Sequence, residues 1–226
     1  NGAAQNSTCS IEQPTISLID QDQYTMIGWN TDKNAHTGIG EDNKVNISYD
    51  VELYPITKSV AKNISATFEK SGVGVISIDS TMQSCTIEEI YNPTEPIPDS
   101  CSIPIPNFTI KDGYTAIGWN SNQKAHEKES NIYTDDNKLL ISNNTTYYSI
   151  SKKNAITLTA DFDANGAKIS DEHKACTLEE VYNDENQATE CTIIAPTITR
   201  DNFIVDGYNL DDSSNITFNS SDSINL

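Results

Sequence analysis

Tyr24-Thr25-Met26-Ile27-Gly28-Trp29-Asn30 returns as Tyr114-Thr115-Ala116-Ile117-Gly118-Trp119-Asn120, 90 residues later and with six of seven positions identical. Both tryptophans of the chain therefore occupy one position of an internal repeat, and self-similarity at a fixed period marks a chain built from copies of one unit. Ala35-His36 returns as Ala125-His126 at the same spacing. Asp42-Asn43-Lys44 and Tyr54 return 94 residues on, as Asp136-Asn137-Lys138 and Tyr148, so four residues are inserted between the two sets of markers. Phe68 answers to Phe162, Cys85-Thr86-Ile87-Glu88-Glu89 answers to Cys176-Thr177-Leu178-Glu179-Glu180, and Cys9, Cys101 and Cys191 form one series. A third copy opens at Cys191 and reaches Asp206-Gly207-Tyr208-Asn209, with Tyr208 in the tryptophan column. The expected organisation is a junction-loop tail of a preceding unit over 1–8, a first unit over 9–84 and a junction over 85–101. A second unit follows over 102–175, then a second junction over 176–191 and the start of an incomplete third unit over 192–226.

Only 36% of the 226 residues are hydrophobic, and Ser, Thr and Asn exceed a quarter of the chain, so each core is thin relative to its surface. Thin cores usually need covalent staples. A net charge of -19 repels nucleic acid and anionic lipid, which carry dense negative charge themselves, and both are excluded as partners. No apolar run approaches the length of a membrane span, so no membrane insertion is expected of this segment.

The patterning is that of strands. In Ala155-Ile156-Thr157-Leu158-Thr159-Ala160-Asp161-Phe162 the larger apolar side chains alternate with Thr and Asp, the period of a strand with one buried face, and Thr145 to Ser151 alternates too. Ile103-Pro104-Ile105-Pro106 reads as an edge strand or extended connector, because proline has no N–H for a ladder. Asp112-Gly113 and Asp206-Gly207 supply turns. Only Thr86 to Tyr91 and Thr177 to Tyr182 are candidates for a short helix. Trp29, Tyr54, Phe68, Trp119, Tyr148 and Phe162 are the expected anchors of two small separate cores, a better use of so few aromatics than a ligand cage.

Five cysteines is an odd number, which ordinarily signals a free thiol or a bond between chains. The repeat offers another account. Cys85 and Cys101 flank one junction and Cys176 and Cys191 the equivalent one, so each pair closes a loop, and the partner of Cys9 is expected outside the chain shown. A metal or redox pair is disfavoured, since there is no CxxC and no histidine cluster nearby. Structural disulfides belong to an oxidising compartment, so the expected location is extracellular or at the cell surface.

Gly113-Tyr114, Ile117-Gly118-Trp119-Asn120, Tyr147-Tyr148 and Thr157-Leu158-Thr159-Ala160-Asp161-Phe162 together resemble the Listeria-Bacteroides repeat, also called the internalin B-repeat. The first copy departs from that pattern at Gln23-Tyr24, where the glycine is lacking, and the third has Tyr208 for Trp. The resemblance implies small β-grasp, ubiquitin-like units strung along secreted or surface-anchored bacterial proteins as spacers or adhesive stalks. The fold class expected is thus mostly β, a tandem array of β-grasp units, with small β-sandwich units as the alternative.

Asp161, Asp163, Asn165, Gly166 and Glu172 satisfy the DxDxNGxxxxxE calcium-loop pattern. A strand precedes the loop in place of a helix, and the first copy lacks the ligands, so a polar turn is the preferred reading and no cofactor is expected. NxS/T sequons, a mild excess over chance, make Asn6, Asn46, Asn63, Asn107, Asn143, Asn144, Asn215 and Asn219 glycosylation candidates. Catalysis has no motif to stand on. His36 and His126 occupy equivalent loops, His173 stands alone, and the pairs Glu88-Glu89 and Glu179-Glu180 read as solvated charge. The function expected is a non-catalytic structural stalk, adhesin spacer or filament building block, touching neighbouring repeats and possible other copies by strand exchange. The alternative is a module that binds a surface glycan or protein through the loops after Asn30 and Asn120.

Overall fold

A computed structural model describes residues 8–134, 136, 138–183, 185–210 and 218–226. The 1–8 tail, Asn137 and the sequons at Asn6 and Asn215 fall wholly or mainly outside these residues. The chain is mostly β, arranged as small separate sheets. In chain order the strands begin β1 (Cys9–Glu12), β2 (Tyr24–Asn30), β3 (Lys44–Ile47), β4 (Tyr54–Ser59), β5 (Lys62–Glu69) and β6 (Val75–Ile78). Next come β7 (Met82–Ile87), β8 (Cys101–Pro104), β9 (Phe108–Ile110), β10 (Tyr114–Asn120), β11 (Lys138–Ile141), β12 (Thr145–Lys153) and β13 (Ile156–Asp161). The last are β14 (Lys168–Ile169), β15 (His173–Leu178), β16 (Val181–Tyr182), β17 (Thr192–Ile194), β18 (Ile198–Thr199) and β19 (Ser223–Asn225). Among the described residues the helical content is a 3-10 turn at Ser130–Ile132.

The two segments that were candidates for a short helix, Thr86 to Tyr91 and Thr177 to Tyr182, are not helical. β7 runs through Thr86 to Ile87 and β15 through Thr177 to Leu178, each with alternate residues turned inward, among them Cys85 and Cys176. A β-branched residue inside a six-residue stretch costs a helix its nucleus, while the antiparallel partners β5 and β13 supply a ladder at once.

The chain divides into two compact units, each discontinuous in sequence: Asn1–Thr67, Met82–Ile105 and Asn131–Thr145 form one, and Phe68–Thr81, Pro106–Ser130 and Thr146–Leu226 the other. In the first unit β1 pairs with β3, β2 with β4, β5 with β7 and β8 with β11, all antiparallel. Ile64 and Ala66 of β5 are buried at alternate positions, as are Leu139 and Ile141 of β11. The alternation expected over Thr145 to Ser151 is not the burial pattern there, since Ser149, Ile150 and Ser151 are all buried with Tyr147, while in β13 Leu158 and Ala160 alternate with exposed residues but Ile156 is exposed. Pro104 lies at the end of β8, opposite Lys138, where its missing N–H breaks no central ladder. The Cys85–Cys101 disulfide joins β7 to β8 with Cα atoms 6.1 Å apart.

In the second unit β12 is flanked by β10 and by the short β16, and the pairs β6–β9, β13–β15, β14–β18 and β17–β19 complete the ladders. The Cys176–Cys191 disulfide has Cα atoms 5.9 Å apart. Its main aromatic core groups Trp119 and Phe68, each 1% exposed, with Tyr147. Phe68 meets Trp119 edge-on at 4.8 Å between centroids, and Phe108 meets it at 5.3 Å. Tyr147 stacks on Phe68 at 5.8 Å. A second cluster is centred on Ile193, Ala195, Tyr208 and Ile224, with Phe162 meeting Tyr208 edge-on at 5.1 Å.

The six expected anchors therefore fare differently. Trp119 and Phe68 are fully buried; Trp29, Tyr54, Tyr148 and Phe162 are partly exposed. On β12 the inward aromatic is Tyr147, because adjacent strand residues point to opposite faces and the register puts Tyr148 opposite Asn120. Grouped by repeat, Phe68 belongs with Trp29. The fold instead lays each Phe on the aromatic of the next repeat, Phe68 on Trp119 and Phe162 on Tyr208.

Candidate functional site

Two local constructions recur along the chain. The first is a socket around the tryptophan column. In both YTxIGWN segments the ladder slips one residue before the glycine, between Met26 and Gly28 on β2 and between Ala116 and Gly118 on β10. Gly28 (φ 150°) and Gly118 (φ 144°) take conformations that a side chain would resist. A Cβ on Gly28 would also stand 3.0 Å from the Cα of Gly38. Beyond the bulge the ring turns in, and its N–H finds a carbonyl that proline leaves unused by any ladder of its own. Trp29 Nε1 donates to Pro14 O at 3.1 Å and Trp119 Nε1 to Pro106 O at 2.9 Å. In the third position the Tyr208 hydroxyl donates to Pro196 O at 2.9 Å. A phenol thus replaces an indole with the same polar tip satisfied.

What covers each socket differs. Phe68 lies on Trp119, and the segment behind it continues through Gly72 (φ 79°) into β6, which pairs with β9 just after Pro106. Phe162 lies on Tyr208, and its segment turns at Gly166 (φ 80°) into β14, which pairs with β18 just after Pro196. The corresponding stretch after Pro14, Ile16 to Leu18, is in no strand, Ile19 beside it is fully exposed, and Trp29 is partly exposed. Among the described residues no aromatic ring stacks on Trp29.

The second construction is a clamp. Asn30 and Asp32 build successive Asx turns, Asp32 N–H donating to Asn30 Oδ1 and Asn34 N–H to Asp32 Oδ1, both at 2.9 Å. Asn120 and Asn122 do the same at 2.8 and 3.0 Å. These turns carry the Ala-His pair outward. His36 then stacks on Tyr91 at 4.1 Å with 9° between planes, and His126 on Tyr182 at 4.2 Å with 5°. The residue after each tyrosine ties three segments together from a left-handed conformation that Asn tolerates better than most, Asn92 at φ 48° and Asn183 at φ 51°. Asn92 Nδ2 donates to Lys33 O and Ala35 O, while its Oδ1 accepts from Thr57 N–H. Asn183 Nδ2 donates to Gln123 O and Ala125 O, and its Oδ1 accepts from Ser151 N–H.

Glu89 and Glu180, read from sequence as solvated charge, lock the same clamps. Lys58 Nζ lies 2.6 Å from Glu89 and Lys152 Nζ 2.5 Å from Glu180, and the same carboxylates accept from the Tyr91 and Tyr182 hydroxyls at 3.1 and 3.0 Å. The lysine donors, then the tyrosine hydroxyls, hold both carboxyls below their ordinary range, and the lysines are raised in return. Sequence reasoning missed this clamp, although its signal was present: Tyr91-Asn92 recurs as Tyr182-Asn183 at a spacing of 91, one more than the Ala-His pair. One difference separates the copies, a contact of 3.2 Å between His126 Nε2 and Glu185 Oε1.

The remaining candidates lie apart from both constructions. Asp161 Oδ1 is 2.7 Å from His173 Nδ1, and the Asp163 carboxylate accepts from Asn165 N–H, closing a polar turn. Asn165 itself is left-handed, and Glu172 sits across the hairpin, its carbonyl accepting from Phe162 N–H. Among the described residues no group of three or more acidic, His or Cys side chains is placed to hold a metal. The sequon asparagines Asn46, Asn63, Asn107, Asn143, Asn144 and Asn219 are all exposed. Asn144 accepts from Ser65 and Asn63 from Thr86, and the Asn219 amide donates to Asp222. No family model, curated protein or solved structure matches the chain.

Proposed function

We propose that the chain is a segment of an extracellular tandem-repeat array, non-catalytic, and serving as a structural stalk, adhesin spacer or filament element. One observation carries the reading. The socket is rebuilt at three positions and the clamp at two, from equivalent residues, while the loop residues between those markers, such as Asp32-Lys33-Asn34 and Asn122-Gln123-Lys124, differ. A chain that keeps its internal fastenings and lets its outward loops vary is organised to hold a geometry, whereas a shared ligand would demand like loops. The two disulfides fit a non-reducing environment, and together with the short-motif resemblance to the Listeria-Bacteroides repeat they support β-grasp-like units on an exported protein. Among the described residues no helix is long and apolar enough to cross a membrane.

The test pairs a ligand screen with mechanics. Arrays of glycans and extracellular proteins probed with the oxidised chain are expected to return no saturable binder. Single-molecule extension is expected to show unfolding steps shortened by the two disulfide-closed loops and lengthened by reductant. Saturable capture of one glycan or protein, lost on changing the loops after Asn30 and Asn120, would establish the binding-module alternative instead.

A further inference from the structure

The two disulfide-closed junctions differ at one equivalent place. Ile97 and Gln187 each stand four residues before the cysteine that ends the loop, Cys101 or Cys191, and Asp99 and Thr189 each stand two before it. The backbone beneath them is the same in both copies. Val60 N–H donates to Gln23 O at 2.9 Å where Asn154 N–H donates to Gly113 O at 2.8 Å, and Ile87 pairs with Lys62 where Leu178 pairs with Ile156. Ile87 and Leu178 are both 7% exposed. In the second copy the Gln187 side chain closes the place. Its Nε2 donates to Asn154 O and Glu179 O, both at 2.9 Å, and more weakly to Leu178 O at 3.4 Å. Ile97 has no donor to give the equivalent carbonyls of Val60 and Glu88, and a cleft of about 290 Å³ remains in the first copy.

The lining of that cleft is apolar and acidic together. Val60, Ile87 and Ile97 supply hydrocarbon, and Asp22 and Asp99 supply carboxylates, the second of them where the other copy has the neutral Thr189. Lys62 lines it too, but its Nζ already donates to Ser142 O at 3.0 Å. Two acidic side chains thus stand against one cation that is engaged elsewhere. All of these residues belong to the first compact unit.

We propose that this cleft is a binding site for a small aliphatic amine, a primary ammonium on a short hydrocarbon stem. The class follows from three features. Val60 O calls for an N–H donor, as its equivalent Asn154 O receives one from the Gln187 amide. Asp22 and Asp99 favour a donor that carries positive charge, and a primary amine is protonated at neutral pH. Val60, Ile87 and Ile97 take the methylenes of the stem out of water. A donor built into the chain in one copy is replaced by a donor taken from solution in the other.

The test is a titration of the oxidised chain with n-butylammonium chloride at constant ionic strength, followed by backbone amide chemical shifts. Saturable shifts are expected at Gln23, Val60, Ala61 and Ile87, and none at Gly113, Asn154 and Leu178. Butyltrimethylammonium keeps the charge and the stem but has no N–H, and it is expected to bind at least about tenfold more weakly. Ile97→Gln is expected to abolish the shifts by seating the side chain that closes the second copy, and Asp99→Thr to weaken binding. Should Ile97→Gln fail to fold, the reverse exchange decides: Gln187→Ile with Thr189→Asp is expected to open a second site, with new saturable shifts at Gly113, Asn154 and Leu178. Absence of saturable shifts in the unaltered chain, equal binding of the two ammonium salts, shifts that persist in a folded Ile97→Gln chain, or a reverse exchange that opens nothing would overturn the proposal.

Discussion

Trp29 and Trp119 stand in nearly identical heptapeptides, on strands with the same bulge and with the same proline carbonyl as acceptor. One is partly exposed and the other is 1% exposed. The heptapeptide therefore orients the ring and satisfies its N–H, but whether the ring is core or surface depends on what reaches it from elsewhere in the chain. For Trp119 that is Phe68, Phe108 and, behind Phe68, Tyr147.

Truncating both rings breaks the comparison most sharply. Trp119→Ala is expected to cost about 3–5 kcal/mol of unfolding free energy, the range for large core aromatics, and Trp29→Ala no more than about 2 kcal/mol, since less surface is returned to water. Urea denaturation followed by circular dichroism reads both, and equal losses would show that the two sockets are filled alike. Phe68→Ala is next, at about 3 kcal/mol, with a signature that bulk stability lacks. In a Trp29→Phe background the emission and iodide quenching of Trp119 are expected to move to the values that Trp29 shows in a Trp119→Phe background.

Converting Cys85 and Cys101 together to Ser is expected to cost about 3 kcal/mol, and the Cys176 and Cys191 pair a similar amount, because the loops they close are of nearly equal length. Asn92→Ala and Asn183→Ala are smaller, about 1–2 kcal/mol each, combining a left-handed residue without its amide with three lost hydrogen bonds. Asn→Gly at the same positions is expected to recover part of the loss by relieving the backbone alone.

The smallest effects are the pH dependences. Glu89 and Glu180 titrate below the ordinary 4.5 because Lys58 and Lys152 donate to them. Their stabilisation is thus complete above that value and is lost as pH falls through the lower folded-state value. Lys58→Met should return Glu89 toward its ordinary titration in a carbon-detected NMR series. His173 has the opposite sign: the Asp161 hydrogen bond raises it above 6.5, so its contribution is present below 6.5 and disappears as pH rises through the folded value. Asp161→Asn should bring its ring titration back down.

Strand character, the turn at Asp112-Gly113 and the pairing of four cysteines were legible in the sequence, whereas Asp206-Gly207, expected to turn, lies in irregular backbone before Tyr208. Each depends on a local period or on two copies of one marker lying at matching distances. The candidate site was half legible. The Ala-His and Tyr-Asn recurrences were visible as letters, but nothing in their spacing says that His36 lies flat on Tyr91, 55 positions away in the numbering. The two stretches that could have made a short helix, Thr86 to Tyr91 and Thr177 to Tyr182, are extended for a similar reason: β5 and β13 pair their first residues, and Tyr91 and Val181–Tyr182 bridge to Lys58 and β12.

By itself, then, the sequence determined the recurrence of its markers, its strand character and the disulfide pairs, because covalent spacing and local composition suffice for those. Only the tertiary structure decided that Phe68 seats on Trp119 and Phe162 on Tyr208, each one repeat onward, and that Tyr147 and not Tyr148 faces the core. Such contacts are set by strand register, where a shift of one residue exchanges the two faces, and by packing among segments far apart in the chain.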